Sequence, residues 1–129
     1  MYIIELKTNV DNRGALTVIE GSGIDIPFDI KRCYILHNLS EARGGHAHPL
    51  TQQIVICVNG WANIKLHDGV EGRDFILNKP SIGLIINPMT WIEIKSFSEG
   101  ANIMVLASTH YDHKLTIRDM QHFLNLKLK

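Results

Sequence analysis

The sequence predicts an all-β fold, an antiparallel barrel or sandwich with one short C-terminal helix, from three observations. Apolar and β-branched residues fall in short runs that alternate in polarity or are continuously apolar. Turn-forming groups separate the runs, and apolar spacing of helical type occurs only near the end of the chain. A parallel α/β sheet would need a helix between successive strands, and the sequence has no room for one.

In chain order the expected strands are 2–7, 15–20, 30–38, 46–49, 53–58, 61–67, 73–77, 82–87, 91–97 and 102–108. Between them lie Asn12-Arg13-Gly14, Asn59-Gly60, Asp68-Gly69, Asn78-Lys79-Pro80, Asn87-Pro88 and Ser98-Glu99-Gly100, residues that tolerate positive φ or enforce a turn. Asn59-Gly60 is the strongest hairpin signal. Ile117, Met120, Phe123 and Leu124 recur at helical spacing, which predicts a helix over 116–126 with Thr116 as N-cap. Its apolar stripe is expected to cover an open barrel end or a subunit contact.

At 129 residues the chain fits one domain, 1–129, large enough to bury roughly two-thirds of its unfolded surface without disulfides or metal. Lys and Arg number 13 and Asp and Glu 13, so the whole chain carries no electrostatic footprint for nucleic acid or an anionic membrane. No apolar run is long enough to span a bilayer, and the N-terminus lacks the pattern of a signal peptide, so a cytoplasmic protein is expected. Cys33 and Cys57 sit in apolar-rich runs outside any CxxC or zinc-type spacing and are expected to be buried, reduced thiols.

The run Arg43-Gly44-Gly45-His46-Ala47-His48 carries the chemistry. Histidines at i and i+2 of a strand project to one face, where both imidazoles can converge on one ligand. Two glycines let the backbone turn sharply or approach a bound molecule, and Arg43 adds a fork of donors suited to carboxylate or phosphate. Histidines on strands are often ordinary polar residues, but the pairing with Arg-Gly-Gly argues for a site. His37, His67, His110, His113 and His122 lie at turns or strand ends and are expected to be solvated.

A small barrel with His-x-His on an early strand, a glycine-ended hairpin after the next strand and a later Gly…Pro strand resembles the cupin superfamily, whose fold is the jelly roll. Gln53 stands at the glutamate position of the first cupin motif and Gly60 at its final glycine. The second motif begins near Gly83 and Pro88 but continues Met89-Thr90-Trp91-Ile92-Glu93, without the third histidine. A cupin metal site takes three imidazoles and a carboxylate, and a catalytic metal needs about three protein ligands. Two histidines with Gln53 are a poor set, even with Glu93 added, so no metal is expected. Without a metal the imidazoles are proton carriers, because a pKa near 6.5 suits them to give and take protons at neutral pH.

Further motifs narrow the resemblance: Asp11-Asn12-Arg13-Gly14-Ala15-Leu16, the segment Pro27 to Tyr34, Arg43 to His48, Asn59-Gly60, His67-Asp68-Gly69, Leu106-Ala107-Ser108 and Tyr111-Asp112. In this order they are similar to the WxcM-like or FdtA-type family, nucleotide-sugar 3,4-ketoisomerases acting on dTDP-4-keto-6-deoxyglucose. The resemblance implies a dimeric β-barrel that moves a ketone from C4 to C3 of a dTDP-linked sugar, in the synthesis of amino-deoxysugars for bacterial surface polysaccharides such as O-antigen or S-layer glycans. It implies no cofactor and an active site of His46, His48 and Tyr34. Pro49 stands where the family commonly has Lys, Ile92 where it usually has His, and His113-Lys114-Leu115 continues the Tyr-Asp segment differently.

Ketone migration removes the C3 proton and places one on C4 of an enediol, work assigned here to His46 and His48. Tyr34 and Arg43 are the candidate donors to the enediolate oxygens. Arg13, in a turn beside Gly14, is a further candidate for the pyrophosphate, and Arg32 a weaker one because strand alternation can turn it outward. Gln53 is within reach of the histidine pair and is expected to orient a hydroxyl or water. Two rival readings use the same residues: a metal-dependent cupin enzyme, a dioxygenase or sugar-phosphate isomerase with His46, His48 and Glu93 as ligands, and a non-catalytic sugar-binding cupin.

Overall fold

A computed structural model describes residues 1–128. The strands are β1 (Tyr2–Glu5), β2 (Thr8–Asp11), β3 (Gly14–Thr17), β4 (Arg32–Leu36), β5 (Arg43–Ala47), β6 (Gln53–Asn59), β7 (Ala62–His67), β8 (Gly72–Leu77), β9 (Ile82–Ile86), β10 (Trp91–Phe97) and β11 (Asn102–Ala107). A 3-10 turn (His113–Leu115) and helix α1 (Met120–Lys127) follow. Nine of the strands form two sheets, ordered β1-β9-β6-β11-β4 and β5-β10-β7-β8, and β2 and β3 form a separate hairpin. All pairings are antiparallel. From β4 onward the chain passes repeatedly between the sheets, giving the expected jelly roll.

Burial follows from position in these layers. Strand β7 alternates, with Ala62, Ile64 and Leu66 buried inside and Asn63, Lys65 and His67 facing outward. Strand β6 is apolar on both faces because both are covered. Val55 and Cys57 join Ile64, Leu66, Leu84, Ile92, Ile94, Ile103 and Val105 in the core between the sheets. On the other side of the same strand, Ile54 and Ile56 pack with Ile85 and Leu106 under Leu6, Ile26 and Phe28 from the N-terminal segments.

Five expectations are corrected. The stretch 8–11 pairs with β3 as a strand, Thr8 opposite Thr17 and Asp11 opposite Gly14, although Asn and Asp interrupt its apolar pattern. The histidine strand begins at Arg43 and ends at Ala47, because β10 pairs with it from Arg43 onward. Helix α1 starts at Met120, capped by Asp119, whose side chain accepts from the His122 amide; Thr116 is extended instead. Cys33 is exposed, since β4 turns Arg32, Tyr34 and Leu36 inward and Cys33 and Ile35 outward, whereas Cys57 is buried as expected. Helix α1 also covers a sheet face rather than a barrel end. Its fully buried Phe123 packs with Trp91, Ala47 and Ile117, the rings of Trp91 and Phe123 lying 5.7 Å apart.

Candidate active site

The inner faces of the two sheets do not close completely. A cavity of about 430 Å³ remains, lined by residues from β4, β5, β6, β7, β10 and β11, by His48 and by the segment before α1. Its floor is apolar, with Leu36, Val55, Ile64, Ile92, Ile94 and Val105. Its upper wall carries Arg32, Tyr34, Arg43, His46, His48, Gln53, Tyr111, Thr116 and Arg118. Among the described residues no Asp or Glu lines it. A protein with balanced charge thus concentrates three guanidinium groups around one apolar pocket, an arrangement suited to an anionic ligand with an uncharged portion.

Backbone geometry explains how the histidines come to point inward. Gly44 and Gly45 both adopt positive φ, +94° and +77°. Here β10 and β5 shift register, with Ile92 opposite His46 and Glu93 opposite Gly44, so that Gly45 is the extra residue of a bulge. A Cβ on Gly44 would lie 2.7 Å from the Ile92 carbonyl oxygen, so both the φ and the close approach require glycine. Beyond the bulge, Ala47 exchanges two backbone hydrogen bonds with Ile117, at 2.8 and 2.9 Å. Ala47 and Ile117 face the Trp91–Phe123 cluster, so their neighbours His46, His48, Thr116 and Arg118 face the cavity. The imidazole centroids of His46 and His48 are 4.8 Å apart, edge to face.

Electrostatics keep this pair neutral. Burial, the adjoining His46 and the cations Arg32 and Arg118 push His48 down to about 4. His46 is lowered as well, first by burial and then by Arg118 and Arg43, against an opposing backbone hydrogen bond at Gly44. The Nε2 of His48 is buried without a hydrogen-bond partner among the described residues. Tyr34 is raised above its ordinary value by burial, which outweighs the cations Arg32 and Arg43 and the hydrogen bond from Gln53. That bond runs from Gln53 Nε2 to the Tyr34 hydroxyl, 2.9 Å long. The two residues meet because β11 sits between their strands, pairing Val105 with Tyr34 and Ala107 with Gln53.

Of the residues singled out in the sequence, His46, His48, Tyr34, Arg43, Gln53 and Arg32 converge on the cavity. Arg32 does not turn outward; its guanidinium stands 5.4 Å from the Tyr34 ring and 5.5 Å from the Tyr111 ring. Arg13 does not line the cavity and pairs with Asp11 at 2.7 Å on the exposed β2–β3 hairpin. Glu93 lies outside it too, 3.6 Å from Lys95. Among the described residues no third His, Cys, Asp or Glu joins the histidine pair, so the cupin metal set does not assemble. Sequence reasoning missed Tyr111, Thr116 and Arg118, having placed the last two in a helix. The alternation of Thr116 and Arg118 about Ile117 was the available signal.

Comparison with known proteins agrees with this geometry. Over 123 residues, 94% of this chain and 88% of the relative, the sequence is 38% identical to TDP-4-oxo-6-deoxy-alpha-D-glucose-3,4-oxoisomerase of Aneurinibacillus thermoaerophilus. A 3,4-ketoisomerase from Helicobacter canadensis superposes with a TM-score of 0.95 at 38% identity, covering 99% of this chain and 97% of that one. The 3,4-ketoisomerase QdtA of Thermoanaerobacterium thermosaccharolyticum, as a histidine-to-asparagine variant in complex with TDP-4-keto-6-deoxyglucose, gives 0.93 at 40% identity over 98% and 92%. The sequence also matches the family described as FdtA, WxcM-like, C-terminal over residues 1–128, and the chain therefore belongs to the FdtA/WxcM-like C-terminal family of sugar 3,4-ketoisomerases.

Proposed function

We propose that this protein isomerises a TDP-linked 4-keto-6-deoxyhexose to the 3-keto sugar by proton transfer through an enediol. The observation that carries the reading is the convergence of two neutral imidazoles, 4.8 Å apart, on an apolar cavity ringed by Arg32, Arg43 and Arg118. The arginines suit the pyrophosphate and the apolar floor suits the deoxysugar, as expected from the relatives named above.

The C3 proton is acidified by the neighbouring ketone, and a neutral imidazole on one face of the ring removes it. The other imidazole moves the proton of the C3 hydroxyl toward the C4 oxygen as the carbonyl shifts from C4 to C3, and the imidazolium formed at C3 gives its proton to C4. His48 in the free protein is a weak base because cations surround it. The substrate's pyrophosphate offsets Arg32 and Arg118, so binding raises the basicity of both histidines at the moment a base is needed. Tyr34 donates to the oxygen on which enediolate charge develops, a contribution of about 3 kcal/mol for one well-placed donor. No step here passes through a metal. The protein acts in the cytoplasm as a homodimer, supplying a 3-keto sugar for amination toward surface glycans.

The test is incubation with TDP-4-keto-6-deoxyglucose in deuterated water, read by proton NMR of the sugar. Deuterium should enter C3 of the substrate and C4 of the product as the 3-keto sugar accumulates, and chelators should leave the rate unchanged. Binding without exchange would make this a sugar-binding protein. Loss of turnover on chelation, restored by one divalent ion, would support metal chemistry instead.

A further inference from the structure

The geometry points to Gln53 as a positioning residue that fixes the polarity of the Tyr34 hydroxyl, accepting nothing from it and leaving its single proton free to point into the cavity. This rests on the ketoisomerase reading above and narrows it to one hydrogen bond.

Gln53 is almost fully buried, 2% exposed, at the start of β6. Its amide nitrogen carries donors only, so in the 2.9 Å contact the Tyr34 oxygen must accept. A phenol has one proton, and its direction is then set by what remains around the oxygen. Arg32 and Arg43, the cations that act on Tyr34, have no acceptor to offer it. The proton is therefore unclaimed by them and available to a substrate oxygen. A cationic guanidinium 5.4 Å from the ring also draws electron density from the phenol and makes it a better donor.

A glutamate at position 53, the residue of the first cupin motif, would reverse this arrangement. Its carboxylate would take the tyrosine proton and turn the hydroxyl away from the substrate. The amide thus explains a departure in the sequence that the loss of a metal ligand alone leaves without a role.

The experiment combines Gln53→Glu and Gln53→Leu with Tyr34→Phe. In the otherwise native protein Gln53→Glu and Tyr34→Phe should each lower kcat about 10²-fold and Gln53→Leu should lower it less, with the Kd for TDP changed by less than about threefold. In the Tyr34→Phe background neither change at Gln53 should lower kcat further by more than about twofold. Independent of activity, NMR of isotope-labelled tyrosine should show Tyr34 ionising at higher pH in Gln53→Leu, because a donor to the phenolate has been lost. Full activity in Gln53→Glu, multiplicative losses in the double variants, or an unchanged Tyr34 titration would each overturn the inference. Should Gln53→Glu fail to fold, the apolar variant carries both the cycle and the titration. An inactive native protein with the expected Tyr34 shift would reject the ketoisomerase reading while leaving the hydrogen-bond polarity standing.

Discussion

His46 and His48 are adjacent in the cavity, and variants can separate their part from that of the arginines around them. Replacing either by Asn keeps size and polarity but removes a group able to exchange protons near neutrality. Turnover should fall by roughly 10²-fold or more while TDP affinity, measured by calorimetry, changes little. Replacing Arg118 by Gln should do the reverse, raising KM and the TDP Kd. It should also raise the basicity of both histidines, since Arg118 is among the cations that depress them. The acid limb of kcat/KM, which reports the free protein, should therefore lie well below 6.5 and move upward in Arg118→Gln. Stability follows the same ionisation. His48 falls from 6.5 to about 4 on folding, so the unfolded chain binds more protons between those values. The native state should lose stability as pH drops from 6.5 to 4, and His48→Asn should flatten that part of a Tm-against-pH curve.

At the scale of elements, the site depends on two devices far from each other in sequence. One is the β5 bulge, where an alanine at Gly44 would combine a strained positive φ with contact on the Ile92 carbonyl. Gly44→Ala should cost about 1–3 kcal/mol in denaturant unfolding and reduce kcat by re-aiming His46. The other is the C-terminal segment, which pairs Ile117 with Ala47 and is pinned by Phe123 against Trp91. Phe123→Ala should destabilise the fold by about 3–5 kcal/mol. Because the same packing holds Arg118 over the cavity, the variant should also weaken TDP binding at temperatures where it remains folded. An unchanged Kd in the folded variant would separate the helix from the site.

For the whole molecule, the β2–β3 hairpin stands apart from both sheets and exposes Val10 and Leu16, 77% and 64% accessible. Edge strand β4 exposes Ile35 as well. A monomer would leave these apolar groups in water, and burial of such side chains between copies is worth about 1.5–3 kcal/mol each. Sedimentation equilibrium at micromolar concentration should give twice the 14.6 kDa chain mass, and substitution of Val10 and Leu16 by Ser should shift it toward the monomer.

Strand periodicity, turn residues and the His-x-His run were legible in the sequence because each depends on neighbours within a few positions. Alternation alone puts His46 and His48 on one face, and the two preceding glycines announce an unusual backbone before the bulge is seen. Other features depend on partners distant in the chain. Arg32 faces inward because β11 fixes the register of β4, and Gln53 meets Tyr34 only across that same strand. Thr116 and Arg118 looked helical, since Ile117, Met120 and Phe123 share a helical period. The Ala47–Ile117 pairing overrides that local preference by supplying backbone hydrogen bonds to an extended segment. Cys33 shows the same limit from the other side, an apolar-rich run whose outward residues only the sheet's position exposes. Local chemistry in the sequence thus determined the strands and the pairing of His46 with His48 on one face, whereas long-range registry, set by sheet hydrogen bonds and burial, decided which cations and which amide surround them.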